Sequence, residues 1–459
     1  MVDSQNIEST GEFRQEVDAE LVSSVSAAIG ALDEARLRAL AADLRAPDLA
    51  DLIEHLEAGE RATFVQCLGE DIDYDVFSEL DETVRDQLSE ELPNSYLAQA
   101  VTELDSDDAA YVLGSLEPAD QKEVLDQLSV PDRAALQRNL EYPEETAGRL
   151  MQGAFVSVAP FWNVGQVIDY MRETDDLPTT FSEIYVVDPG FRVVGSVNLS
   201  HLLRTKRHVP IEHIMRTDIS TVDALADQEE VARQFERYDL YSAPVVDANN
   251  RLVGVVTVDD VVEIIQEEAD EDIRRLGGVG DESVMDSVID TTKSRFVWLF
   301  VNLLTAILAS AVIKLFDASI EQMVALAVLM PIVASMGGNA GTQTMTVAVR
   351  ALATRDLSAV NASRVIFREV YVGLLNGLVF AVILAVVTII WFGSGQLGLV
   401  IAAAMIFNHF AAALAGILIP LLLQNLGQDP AVASSAFVTT ITDVVGFFAF
   451  LGLATILLL

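Results

Sequence analysis

Tyr185-Val186-Val187-Asp188-Pro189-Gly190-Phe191-Arg192-Val193-Val194-Gly195 recurs 59 residues later as Pro244-Val245-Val246-Asp247-Ala248-Asn249-Asn250-Arg251-Leu252-Val253-Gly254. Each stretch reads as a β-branched strand, a turn at Asp, Asn or Gly, and a second β-branched strand. Upstream, Met151 with Phe155-Val156-Ser157-Val158 recurs as Met215 with Ile219-Ser220-Thr221-Val222, at an offset of 64. The offsets differ by five, so the first copy holds five extra residues, placed within 173–183. Each copy predicts strand, helix, strand, turn, strand, helix, which makes 153–272 a duplicated α/β unit.

The regions on either side differ sharply in charge. The chain has 459 residues, 28 Lys+Arg against 69 Asp+Glu, 51% hydrophobic residues and a mean hydropathy of +0.36. Residues 1–290 hold 21 basic and 63 acidic residues, whereas 291–459 hold 7 and 6. An acidic soluble region therefore precedes a membrane region. The acidity argues against nucleic acid as a partner and is compatible with cations. Cys67 is the only cysteine, so an intrachain disulfide is excluded. Met1 to Thr10 lack a basic, apolar signal pattern, which predicts that the acidic half stays in the cytoplasm.

Residues 20–148 lack strand signals. Leu49-Leu52-Ile53-Leu56, Leu97-Val101-Leu104, Val112-Leu116 and Val124-Leu125-Leu128 have helical spacing. Pro47, Gly59, Pro93, Pro118 and Pro131 bound helices of about ten to fifteen residues, which predicts a small helical superhelix. Residues 1–15 are expected to be disordered.

Beyond residue 295, uncharged or nearly uncharged runs cover 296–313, 322–349, 370–392, 396–424 and 430–459. About 20 apolar residues cross a bilayer as helix, so five spans fit. Lys293, Arg295, Arg350, Arg355, Arg364 and Arg368 fall on one side and Lys314 on the other. The positive-inside rule then puts the N-terminal half in the cytoplasm and the C-terminus outside, across the plasma (cytoplasmic) membrane.

Polar groups inside these spans are the functional candidates. A carboxylate at membrane depth costs about 2.5–3.5 kcal/mol on insertion scales and faces a bundle interior or a pore. Asp443 lies midway in the fifth run, beside Thr439, Thr440 and Thr442. It reads as a pore ligand, or as a capping or protonated Asp at a break near Gly446. In the second run, Pro331 precedes Gly337-Gly338-Asn339-Ala340-Gly341-Thr342-Gln343. That composition predicts a broken helix or close backbone approach, with Asn339 and Gln343 lining an aqueous path; the alternative is tight packing through small residues. Glu321 is a cation-attracting mouth residue or a plain interfacial one. Glu369, beside Arg368, reads as ion-paired, and Asn408 and His409 as interhelical hydrogen-bonders.

Glu268, Glu271 and Asp272 share a helical face in 266–272. Divalent cations could bridge that face to acids of a neighbouring domain; the alternative is a solvated face. The linker 277–280 and a further helical stretch over 281–294 lead into the first span. His55, His201, His208, His213 and His409 form no catalytic cluster, and GxxxxGK[ST] is absent, so no enzyme or ATPase is expected.

The duplicated unit resembles a tandem CBS-domain pair, a regulatory module that senses adenosyl ligands or ions. The whole chain resembles the MgtE family of magnesium channels. The resemblance is carried by Gly337 to Gln343, Arg350-Ala351-Leu352-Ala353-Thr354-Arg355-Asp356-Leu357 and Thr442-Asp443-Val444-Val445-Gly446. It is carried also by Gly254-Val255-Val256-Thr257-Val258-Asp259-Asp260-Val261 and by Tyr142-Pro143-Glu144-Glu145-Thr146-Ala147-Gly148-Arg149-Leu150-Met151. It implies a multidomain membrane protein: an all-α N-terminal superhelical domain (1–148), tandem α/β CBS domains (149–211 and 212–272), a linking or plug helix (273–295) and a five-helix transmembrane domain (296–459). It implies a homodimer with its pore between the second and fifth spans. There Asp443 and Asn339 would hold Mg2+, with Gly337, Gly338, Gln343, Thr439 and Glu321 lining the path or its mouth.

A cytoplasmic Mg2+ sensor would map onto Asp227, Glu229, Asp239, Asp260, Glu268, Glu271 and Asp272, with Asp75 and Asp107 in the helical domain. The implied function is Mg2+ uptake down its electrochemical gradient, closed by internal Mg2+ and open to tuning by adenine nucleotide at the CBS pair. Rival readings are a Na+- or H+-coupled divalent cation transporter and a non-transporting membrane sensor.

Overall fold

The computed structural model describes residues 17–174, 177–280, 282–358, 360–431 and 434–459; the expected disorder of 1–15 lies outside them. Two compact units, Met1–Glu268 and Ala269–Leu459, are taken separately.

The first unit begins with α1 (Ala19–Gly30), α2 (Glu34–Ala41), α3 (Ala46–His55), α4 (Ala58–Leu68), α5 (Val76–Glu79), α6 (Glu82–Glu91), α7 (Asn94–Glu103), α8 (Ser106–Ser115), α9 (Pro118–Gln127) and α10 (Val130–Leu140). The expected prolines sit at helix starts, in the first turns of α3, α9 and α10 and at the N-cap of α7, where a missing N–H costs nothing. The sequence reading missed one regularity: leucine recurs every 12 residues from Leu44 to Leu140. Leu56, Leu80, Leu92, Leu104, Leu116 and Leu128 each end a helix in extended backbone and are buried. An α-helix of about ten residues followed by a leucine-anchored corner is thus the building block. Neighbours stack as in other repeat arrays.

After α11 (Ala147–Leu150) come the duplicated sheets. The first holds β1 (Ser157–Val158), β2 (Glu183–Val187) and β3 (Val193–Asn198), with α12 (Val164–Glu173) and α13 (Leu199–Arg204). The second holds β4 (Val222–Asp223), β5 (Ser242–Val246) and β6 (Leu252–Thr257), with α14 (Gln228–Tyr238) and α15 (Val258–Gly277). In both, the first pairing is parallel and the second antiparallel. The turns match atom for atom. Asp188 Oδ1 accepts from the N–H groups of Gly190 (2.8 Å) and Arg192 (2.9 Å), and Asp247 Oδ1 from those of Asn249 (2.8 Å) and Arg251 (2.9 Å). The extra residues of the first copy fall between α12 and β2; Asp175 and Asp176 of that stretch are outside the described residues.

The copies also exchange their run-in segments. Gln152, ahead of the first sheet, pairs with Val255 of the second, and Arg216, ahead of the second, pairs with Ser196 of the first. Two glycines make room for this. A Cβ on Gly254 would lie 2.6 Å from Met151 Sδ, and one on Gly195 would lie 2.8 Å from Met215 Sδ.

The second unit contains α16 (Val288–Lys314), α17 (Asp317–Gln322), α18 (Ala325–Ala353), α19 (Ala362–Phe392), α20 (Gly395–Asn425) and α21 (Ser434–Leu458). Five of them are long and apolar enough to cross a membrane. The central helix is α20, which packs against α18, α19 and α21 and buries Ala404, Ala412, Ala413, Ala415 and Gly416.

One expectation is corrected here, and one pair of alternatives is decided. Among the described residues no separate helix spans 273–295. Residues up to Gly277 continue α15, Gly278 takes φ +70°, and Ser287 then caps α16 by accepting from the N–H of Asp290, so α16 runs directly into the first span. Of the two readings of the second span, close backbone approach holds and a broken helix does not. Pro331 lies early in a continuous 29-residue α18, and the glycines serve close helix approach instead.

Candidate cation sites

Within the membrane helices, polar side chains gather on one face of α18. Ser335, Asn339, Gln343 and Thr346 follow helical spacing and are exposed, opposite the buried Leu329, Val333, Gly337 and Gly341. The α21 helix meets α18 beside that face. A Cβ on Gly338 would lie 3.9 Å from Thr439 Cγ2, and one on Gly341 would lie 2.5 Å from Val438 Cγ1. Asp443, one turn beyond Thr439, is partly exposed and makes no hydrogen bond or ion pair among the described residues. The Thr439, Thr440 and Thr442 hydroxyls donate to backbone carbonyls of their own helix, which leaves their oxygen lone pairs free.

Other membrane candidates fare differently. Gly337 does not line this face; it is turned to α20, where a Cβ would lie 2.1 Å from Asn408 Nδ2. Glu321 is exposed on the short α17, outside the span it was expected to open. Glu369 is buried and has no ion pair with Arg368, which is exposed, because consecutive helix residues point about 100° apart. Asn408 donates across helices to Val333 O at 2.8 Å. The His409 ring pairs with Met405 O of its own helix and stacks on Phe380.

In the first unit the acids converge on the start of α8 and the start of α15. Burial first, then Asp260, holds Asp107 well above the usual carboxylate range, and its Oδ1 is buried without a hydrogen-bond partner. Asp108 is pushed up to about 7 by burial, with Asp260 and Glu263 adding to it. Glu263 is pushed up to about 7 by burial and by Glu79 and Asp260. Asp260 is pushed up to about 6 by burial, although the Thr257 hydroxyl donates to it at 2.6 Å. At the rim, burial and neighbouring acids raise Asp75 and Glu79 as well.

No ion pair relieves Asp107, Asp108, Asp260 or Glu263 among the described residues. Nor do three acids, histidines or cysteines there close on a point that would wrap a bare ion.

The remaining expected acids are dispersed. Asp227 caps α14, accepting from the N–H of Glu229 at 3.0 Å, and Glu268 accepts from Gln228 Nε2 at 2.7 Å. Asp239 is a left-handed helix stop and is exposed. In the second unit, Arg275 pairs with Glu271 and with Asp429. Asp272 is raised by burial and then by Asp429, against the pull of Arg350. The sequence reading missed Asp105, Asp108, Glu263, Glu79 and Asp429. The run Asp105, Asp107, Asp108 opening a helix, and the i, i+3 pair Asp260 and Glu263, were visible signals. Asp429 had none beyond its place ahead of the last span.

Five helices of bilayer length with a polar seam bearing one carboxylate mark a multi-pass membrane protein. The family model described as Divalent cation transporter matches residues 330–453, that described as MgtE intracellular N domain matches 44–145, and that described as CBS domain matches 147–208 and 211–267. The magnesium transporter MgtE of Bacillus subtilis (strain 168) is 33% identical over 321 residues, covering 70% of this chain and 71% of its own. That of Thermus thermophilus is 37% identical over 320 residues, covering 69% and 71%. A solved cytosolic domain of the Mg2+ channel MgtE in complex with ATP is 31% identical, with a TM-score of 0.49, and covers 53% of this chain and 99% of its own. The chain belongs to the MgtE family of magnesium transporters, whose transported ion is Mg2+.

Proposed function

We propose that the protein is a Mg2+-selective channel, working as a homodimer, that admits Mg2+ down its electrochemical gradient and is closed by internal Mg2+. The observation that carries this reading is the cluster of Asp107, Asp108, Asp260 and Glu263, three of them pushed up to about 6 to 7 by burial and neighbouring acids. Such a cluster repels itself at neutral pH and is relieved when hydrated divalent ions enter. Loss of the ions separates the acidic faces; their return closes them. Glu271, Asp272 and Asp429 supply a second acidic group in the membrane unit, and Asp227, Glu229, Asp239 and Glu268 extend the sensor around α14 and α15.

In this reading Asp443 and Asn339 of each protomer hold the hydrated ion, with Gly338, Gln343 and Thr439 along the path and Glu321 at its outer mouth. The basic residues at the start of α16, the end of α18 and the start of α19 support an orientation with the N-terminal half in the cytoplasm and the C-terminus outside. The membrane potential then drives entry with roughly 2.3 kcal/mol per charge per 100 mV, doubled for a divalent ion. The CBS pair takes an adenine nucleotide that tunes the Mg2+ response.

Flux into proteoliposomes at clamped potential tests the whole. Uptake should follow the voltage with no Na+ or H+ gradient, stop in Asp443→Asn, and persist at high internal Mg2+ in Asp108→Asn/Glu263→Gln. A requirement for a Na+ or H+ gradient would instead make the protein a coupled transporter.

A further inference from the structure

Asn408 is fully buried in the middle of α20, yet it touches both helices that carry the polar seam. Its amide fills a slot between Gly337 of α18 and Gly446 of α21. A Cβ on Gly337 would lie 2.1 Å from Nδ2 and 2.6 Å from Cγ, and one on Gly446 would lie 2.7 Å and 3.0 Å from the same atoms. Neither neighbour could bear even a methyl group while the amide stays in place.

The amide's orientation is fixed. Val333 O can only accept, so the amide turns its Nδ2 to it, at 2.8 Å. The other end, Oδ1, is buried and has no hydrogen-bond partner in the described residues. A buried amide whose carbonyl oxygen is left unmet is costly for packing alone, since an apolar residue of similar size avoids the penalty. Its place along the helices is telling. Gly337 precedes Asn339 by two residues and Gly446 follows Asp443 by three, which at 1.5 Å per residue is about 3 Å and 4.5 Å along the axes.

We propose that Asn408 is a positioning residue of the ion path: its amide, wedged between Gly337 and Gly446, sets the separation of α18 and α21 and so the width of the seam bearing Asn339 and Asp443. This rests on the seam being the path. A hydrated Mg2+ demands near-ideal octahedral geometry, so a gap set by a rigid wedge discriminates it from larger or more readily dehydrated cations. Flexible apolar packing would not hold that gap.

The test measures permeation of Mg2+ against Ca2+ and Na+ in proteoliposomes for Asn408→Ala, Asn408→Ala/Gly337→Ala and Asp443→Asn. Asn408→Ala should shift the Mg2+ to Na+ or Mg2+ to Ca2+ ratio by about tenfold, the scale on which methylene-sized changes discriminate ligands. In the double variant the new methyl at 337 fills the vacated slot and should bring the ratio back to within about threefold of the parent, a rescue on that same scale. If Asn408→Ala yields no folded protein, Asn408→Ser is read the same way. A purified variant with parental selectivity overturns the assignment, because a residue that only stabilised the fold would change yield and thermal stability and leave ratios alone. If Asp443→Asn abolishes selective flux while Asn408→Ala matches the parent, this inference alone fails; if both match the parent, the path itself lies elsewhere.

Discussion

Asp108→Asn removes a carboxylate that the folded protein ionises only with difficulty. In the folded chain this group is held at about 7, against 3.8 for an ordinary aspartate. Ionising it in the folded chain therefore costs roughly 4 kcal/mol more than in the unfolded chain. The cost is absent below the unfolded value, grows as pH rises from about 4 toward 7, and is complete above 7, because the folded form holds its proton more tightly. Asp260 and Glu263 share the repulsion and solvent reaches part of the side chain, so the variant should recover about 2 kcal/mol at pH 8.

Hydrogen exchange of the full-length protein in detergent, followed at the α8 amides and at 258–268 of α15, reads this directly. In chelator at pH 8, Asp108→Asn should slow exchange there by about thirtyfold, the equivalent of that 2 kcal/mol. The unsubstituted chain should gain comparable protection either on acidification to pH 5.5 or on adding Mg2+, and the variant should gain less from both. Protection in the unsubstituted chain that is indifferent to pH and to Mg2+, or a variant less protected at pH 8, would refute the electrostatic reasoning.

Other perturbations probe separate links. Asp429→Asn leaves Arg275 paired with Glu271 alone and removes an acid beside Asp272; the internal Mg2+ needed to halve flux should rise about three- to tenfold, as loss of one carboxylate weakens a hydrated-ion site. Gly254→Ala drives a methyl into Met151 and the Gln152 carbonyl and should cost about 1–3 kcal/mol in thermal unfolding, partly regained in Gly254→Ala/Met151→Ala. Leu92→Ala, at a buried helix corner, should cost about 2–5 kcal/mol, whereas Leu32→Ala, at a residue 73% exposed, should be close to neutral by the same melt.

Much of the fold was legible because its signals are periodic. The repeat around Asp188 and Asp247 specifies matching turns through side chain to backbone hydrogen bonds, and that chemistry is local. Charge-free runs of bilayer length read as spans for a similarly local reason. The twelve-residue leucine spacing was equally present but escaped a search over helical windows, since its period is that of the stacking and not of the helix. Asp108, Glu263 and Asp429 were harder. Among 69 acids, chain spacing alone does not say which ones face each other across the first turns of α8 and α15. Gly337 shows the converse: its motif marked a polar path, whereas its neighbour Asn408, 71 residues on, turns that glycine to packing.

The exchanged run-in segments carry a consequence for how the chain is made. Synthesis proceeds from the N-terminus, and domains ordinarily fold as they emerge. The first sheet cannot complete its edge until Met215 and Arg216 have followed it out, and Met151 and Gln152, made early, wait for Val255. Neither half of the pair is thus a finished folding unit by itself. They should acquire protease resistance together, after about residue 257 has left the ribosome, and a stall between the copies would leave two exposed sheet edges open to mispairing.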